Sequence, residues 1–280
     1  MNEKKNLTTK ETFVLAVKNH KKNNLKVAEN LYNKILKIDP NHIETIFSLG
    51  SLSAQTRKFD KAKQLLQKAI QINPNYANSH FNLGIVFKEL GEYQKAINCY
   101  QKAIQLNPNY VDAYLNLGVI FKNLKKHQQA INCYQKAIQL NPSSTDAYLN
   151  LGVVFKNLKK HQKAINCYQK AIQLNPSCID AYLNLGVLFE NLKEHQKAIS
   201  CYKKAIEIKP NYVKAYYNLG IIFNELEERE KAISYYKKAI EIQPDFVNAY
   251  NTLGNVSENL GEYQKAINYY QKAIEIQPNF

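Results

Sequence analysis

The chain has 280 residues, is 45% hydrophobic and 22% charged, and carries a formal net charge of +15. That balance excludes a disordered chain, and nine glycines with no tryptophan argue against a glycine-rich β protein. The charge is uneven: residues 1–76 carry +8, residues 77–178 carry +8 and residues 179–280 carry −1.

Residues 1–8 form an N-terminal extension before any regular pattern begins. The first apolar stretch, Phe13–Val17, is too short for a signal-peptide core and far too short to span a bilayer. No other segment comes closer, so the chain reads as cytoplasmic with no membrane insertion.

From residue 9 onward the sequence is periodic. All eight prolines, Pro40, Pro74, Pro108, Pro142, Pro176, Pro210, Pro244 and Pro278, are spaced by 34 residues. Gly50, Gly84, Gly118, Gly152, Gly186, Gly220 and Gly254 keep the same beat. A fixed period of this size is the mark of stacked repeats. The repeats run 9–42, 43–76, 77–110, 111–144, 145–178, 179–212, 213–246 and 247–280.

Each repeat predicts two helices. In 111–144, Ala113, Tyr114, Leu117, Gly118, Phe121 and Leu124 fall on one side of a helical wheel. After a polar turn, Ala130, Ile131, Tyr134, Ala137, Ile138 and Leu140 form a second stripe, which Asn141-Pro142 ends. Gly118 and Ala130 are small where two antiparallel helices should touch. One such pair cannot bury its own apolar face and needs neighbours to be stable.

These residues resemble the tetratricopeptide repeat. Its pattern is an aromatic, Leu-Gly, an aromatic, Ala, an aromatic, Ala and Pro. In 145–178 it is met by Tyr148, Leu151, Gly152, Phe155, Ala164, Tyr168, Ala171 and Pro176. The first repeat departs, with Ala16 for the glycine and Asn19 for the second aromatic, but Leu15, Ala28, Tyr32 and Pro40 fit. The resemblance implies an all-α fold: a right-handed superhelical solenoid of eight 34-residue helix-turn-helix repeats. It also implies that the first helices of successive repeats line a concave groove.

Asp112, Asn116, Val119 and Asn123 form a stripe about 100° or more around the first helix from the core centre. The resemblance therefore puts Asn82, Asn116, Asn150, Asn184 and Asn218 in one file along the groove, interrupted by Ser48 and Thr252. A carboxamide carries both donor and acceptor, so it can satisfy the backbone of an extended peptide. Ile85, Val119, Val153, Val187 and Ile221 would give dry contact beside it. The file is similar to the asparagine ladder in the repeat arm of O-GlcNAc transferases, and Asp112, Asp146 and Asp180 match that arm's acidic ladder. Lys88, Lys122 and Lys156 add a cationic file. Two readings of the amides stay open: contact with a ligand, or hydrogen bonding to an adjacent helix that fixes repeat stacking. Repeats 111–144 and 145–178 are identical at 30 of 34 positions, so duplication has copied useful and idle residues alike. The Lys and Asn pair of a carboxylate clamp is absent, since apolar residues such as Leu115 and Val119 hold its positions.

Cys99, Cys133, Cys167 and Cys201 occur once per repeat and, with Cys178, read as reduced thiols. His127, His161 and His195 form a file at the helix–helix turn without acidic or thiol companions at metal-ligand spacing. Tyr114 and Tyr134 read as packing residues rather than stacking platforms for bases, and the lysines do not gather into runs, which disfavours nucleic acid. No phosphate-binding loop or nucleophile–base grouping stands outside the repeat background. No cofactor, no metal and no catalysis are expected. Helix 263–276, in the repeat that ends at Phe280, would show Ile267, Tyr270 and Ile274 on its open side, a candidate interface. Three functions follow: a scaffold binding an extended polypeptide in the groove, a recognition arm for a glycosyltransferase or sulfotransferase domain located elsewhere, and a self-associating structural solenoid.

Overall fold

A computed structural model describes residues 7–278. Among these residues it contains sixteen α-helices and no strand. The helices are divided between two compact units, Met1–Pro142 and Ser143–Phe280.

The first unit holds four helical hairpins. They are α1 (Thr9–Lys21) with α2 (Leu25–Ile38), α3 (Ile43–Gln55) with α4 (Phe59–Ile72), α5 (Ala77–Glu89) with α6 (Tyr93–Leu106), and α7 (Val111–Asn123) with α8 (His127–Leu140). The second unit holds α9 (Thr145–Asn157) with α10 (His161–Leu174), α11 (Ile179–Asn191) with α12 (His195–Ile208), α13 (Val213–Glu225) with α14 (Arg229–Ile242), and α15 (Val247–Asn259) with α16 (Tyr263–Ile276). The odd-numbered helices are here called A and the even-numbered ones B.

Local chemistry sets these boundaries. Thr8 opens α1 with a capping box, its side chain taking the Glu11 N–H while Glu11 returns to the Thr8 N–H. Each A helix ends in a residue at positive φ: Asn23, Arg57, Lys125, Lys159, Lys193 and Glu227 at 55–62°, and Gly91 and Gly261 near 75°. The left-handed residue turns the chain back so that B lies against A. Each B helix stops two residues before its proline.

An A helix inside a unit packs on more than its own hairpin partner. In the second unit α11 packs on its partner α12, on α10 of the preceding hairpin, and more lightly on α9. The A helices are therefore apolar on two flanks, which a single wheel stripe misses. Ile120 and its equivalents Val154, Leu188 and Ile222 are fully buried although they lie outside the expected stripe. Leu124, expected in the core, is 39% exposed because it is the residue that leaves the helix. Tyr134 is fully buried as expected, whereas Tyr114 is half-buried.

The glycine has a more specific partner than small-on-small contact supplies. A Cβ on Gly118 would lie 2.6 Å from a ring carbon of Tyr134, and one on Gly152 would meet Tyr168 at the same distance. In the six hairpins from α5–α6 to α15–α16 one side of a tyrosine ring packs against the glycine of the A helix, whereas the first hairpin has Ala16 in the glycine's place. The hairpin α3–α4 differs, with Leu66 facing Gly50.

Candidate functional site

The groove residues singled out in the sequence lie on the A helices. In the first unit the half-buried Asn82 donates through Nδ2 to Ser51 Oγ of the preceding A helix at 2.7 Å. Ser51 in turn donates to the Phe47 carbonyl. Asn116 donates to the carbonyl of Asp112, one turn back, at 2.9 Å. Its Oδ1 accepts from Lys88 Nζ of the preceding A helix at 3.4 Å.

The second unit repeats the motif. Asn150 and Asn184 donate to the carbonyls of Asp146 and Asp180 at 2.9 and 2.8 Å. Asn184 Oδ1 accepts from Lys156 Nζ at 3.0 Å. Asn218 is half-buried beside the Tyr202 hydroxyl. The spacing that sets the amide one turn after the aspartate explains the back-bond. The lysine reaches across because it sits late on one A helix while the amide sits early on the next.

The amide thus spends one donor hydrogen inside its own helix and one acceptor lone pair on the preceding repeat. A carboxamide has two hydrogens and two lone pairs, so half its capacity remains. One of these bonds stays within the helix and the other runs to the preceding hairpin. The carboxylates of Asp112, Asp146 and Asp180 are exposed, while Lys122 and Lys156 are half-buried and desolvation holds their ammonium groups below the ordinary lysine pKa.

The lysine position changes sign in the second unit. Where Lys156 stands in one repeat, Glu190 stands in the next, accepting the Tyr202 hydroxyl at 2.7 Å. Burial raises the Glu190 carboxyl above the usual range, opposed by the Tyr202 bond. Glu225, which also raises it, is held by Lys193 at 3.0 Å and lies 3.8 Å from His195 Nδ1. Sequence reading by shared pattern passes over Glu190; the break in the lysine file is the signal that marks it.

Among the described residues no group of three or more His, Cys, Asp or Glu side chains is placed to hold a metal ion. The five cysteines are free thiols. No helix is long and apolar enough to cross a membrane. In α16, Ile267 is 47% and Ile274 55% exposed, against 6% for the equivalent Ile131. Tyr270 lies over Gly254 and donates to Asn255 and Glu258.

A family model described as tetratricopeptide repeat matches 111–144, 145–178, 179–212, 213–246 and 247–280, and one described as TPR repeat matches 54–91 and 86–125. The crystal structure of MamA is 34% identical, covering 58% of this chain and 95% of its own, with a TM-score of 0.55. YrrB, described as a TPR protein with an unusual peptide-binding site, is 28% identical over 66% of this chain and 95% of its own, with a TM-score of 0.54. Pseudomonas aeruginosa pilF shows the same fold at 24% identity, over 72% of this chain and 92% of its own, with a TM-score of 0.64. No curated protein sequence matches the chain.

Proposed function

The chain belongs to the tetratricopeptide repeat family, and from that premise we propose that it is a non-catalytic cytoplasmic scaffold whose A helices bind an extended polypeptide. The observation that carries this reading is the half-satisfied amide: Asn116 and Asn184 each keep a hydrogen and a lone pair beyond their bonds to the chain itself. Backbone N–H and C=O groups of an extended segment are chemically matched to both. The half-buried Val153 and Val187 beside the amides supply apolar contact. Lys88 and Lys156 make a neutral or acidic ligand better suited than a basic one. The description of YrrB as peptide-binding is consistent with this reading.

Affinity capture from a lysate with the native chain beside Asn150→Ala plus Asn184→Ala tests it. Partners retained by the native chain and lost by the variant, at equal thermal stability, are the expected result. A variant that melts well below the parent with an unchanged partner list makes the amides stacking elements and ends the proposal.

A second reading, self-association, is favoured by the exposure of Ile267 and Ile274. A recognition role beside a transferase domain rests on resemblance alone.

A further inference from the structure

The first unit contains a cavity whose lining departs from the shared repeat pattern, with a smaller hollow at the equivalent place between α1 and α3. It opens between α3 and α5, has a volume of about 370 Å³, and is walled by Ala54, Phe59 and Ile85 with Ser51 at its floor. Ala54 occupies the position held by Lys88, Lys122 and Lys156 in the next three repeats, and Ser51 the position of Ile85, Val119 and Val153. Both substitutions shorten the side chain. Phe59 stands where the later repeats have Tyr93, His127 and His161, so the wall is apolar where theirs carries a polar atom. The hollow follows from three coincident departures from the shared pattern.

The mouth is charged. Arg57 and Glu89 line it. Glu89 is already beside Lys88 at 3.4 Å. The nearby Lys58 and Lys61 are both held by Glu29. Arg57 has no carboxylate partner among the described residues. Its guanidinium is a planar fork suited to a carboxylate. At the floor, Asn82 donates to Ser51 through Nδ2, which leaves its carbonyl oxygen directed to other donors. An enclosure of this size, mostly apolar with a few convergent polar groups, has the character of a ligand site.

We propose that this cavity is the anchor subsite of the scaffold: it takes one large apolar side chain of an extended peptide, followed directly by an aspartate or glutamate that pairs with Arg57. The inference rests on the peptide-binding reading above and adds to it a location and a sequence preference. The apolar side chain fills the space that lysine occupies in the neighbouring repeats. The acidic residue answers the one unpaired cation at the mouth, in a stretch of chain that carries a net +8 over residues 1–76.

The test uses the full chain and a blocked hexapeptide, Gly-Ser-Phe-Asp-Ser-Gly, with two controls in which Phe is replaced by Ala or Asp by Lys. Methyl NMR follows Ile85 in the first unit and Val153 and Val187 in the second. The blocking variant is Ala54→Lys, which installs the residue that the same position carries in three other repeats and so suits the fold. The Phe-Asp peptide is expected to shift Ile85. Both control peptides and the Ala54→Lys chain should bind roughly tenfold more weakly or worse, the loss that follows from leaving one apolar side chain in water. Arg57→Gln should erase the preference for Asp over Lys. Shifts confined to Val153 and Val187 overturn the anchor and leave the peptide-binding reading standing. Equal binding of the Ala control, or no shift at any of the three residues at millimolar peptide, also overturns the anchor. The capture experiment with the amide variant decides the broader reading independently.

Discussion

Tyr202 donates its hydroxyl to Glu190 at 2.7 Å, while the equivalent hydroxyls of Tyr100, Tyr134 and Tyr168 are buried without a hydrogen-bond partner. The difference lies in the facing A helix. Glu190 replaces the lysine that the three earlier repeats place there, and a carboxylate accepts where an ammonium cannot.

That exchange has a pH signature. Burial raises the Glu190 carboxyl above its unfolded value, so the folded state disfavours the anion. The penalty is fully present above the folded pKa and is relieved as pH falls through it. Glu190→Gln keeps an acceptor for Tyr202 and removes the charge. It should raise the melting temperature at pH 7 by at most a few degrees, about the shift of 1 kcal/mol in a chain of this size. The gain should vanish once the pH is below the unfolded carboxylate value. A variant equally stabilised at pH 3 and pH 7 contradicts this account.

Gly152→Ala should destabilise the second unit by about 1–3 kcal/mol, because the added methyl meets the Tyr168 ring at 2.6 Å. Tyr168→Leu copies the Gly50–Leu66 pair already used in the first unit. The double variant should therefore lose less than the two single losses added together. Urea titration of the four proteins reads the coupling; strict additivity counts against the ring–glycine contact as the closing element.

The buried thiols should be slow to react. Burial pushes Cys167 and Cys201 up to about 11 and Cys133 to about 12. At pH 8 such thiols hold on the order of a thousandth of their population or less as thiolate, and the thiolate is the nucleophile. Cys178 is half-buried and raised less, so a thiol-specific disulfide reagent should label it first. Peptide mapping after a short exposure gives the order.

Ile131→Glu and Ile267→Glu should diverge. The first puts a carboxylate at a site 6% exposed and should unfold its unit or cost several kcal/mol. The second changes a residue 47% exposed and should leave the melting temperature nearly unaltered. If the α16 face binds a second copy, only the native chain should show concentration-dependent size on a column; equal profiles for both remove the self-association reading.

Lys125 and Lys159 sit at positive φ in the turns where Gly91 and Gly261 occupy the same position. An L residue there costs roughly 1–2 kcal/mol, and glycine's extra freedom in the unfolded chain returns part of that. Each change to glycine should add about 0.5–1 kcal/mol, measurable as a higher urea midpoint.

Much of this was legible from spacing alone. The prolines and glycines fix the 34-residue period, and a wheel places Ala130, Tyr134 and Ala137 in the core, where they are buried. Ile120 was missed because an A helix is covered on two flanks, and a wheel drawn around one stripe has no term for the preceding hairpin. Leu124 was misplaced because its exposure depends on the left-handed Lys125 that follows. The back-bond from Asn184 to the Asp180 carbonyl follows from a four-residue interval, but its bond to Lys156 crosses between hairpins and depends on how they are set. The hollow at Ala54 depends on three positions being small or apolar together, which no single one announces.

The near-identity of residues 111–144 and 145–178 has a consequence for how the chain finds its fold. Helices α8 and α10 differ only at Gln129 and Lys163, so a following A helix meets two almost equal docking surfaces while the chain is still collapsing. Skipping one repeat loops out 34 residues, and loop entropy penalises that only weakly. Such slipped assemblies are the characteristic error of repeat chains. Correct order then relies on residues that break the copying, Leu66 and Glu190 among them, which act as addresses telling one hairpin from another.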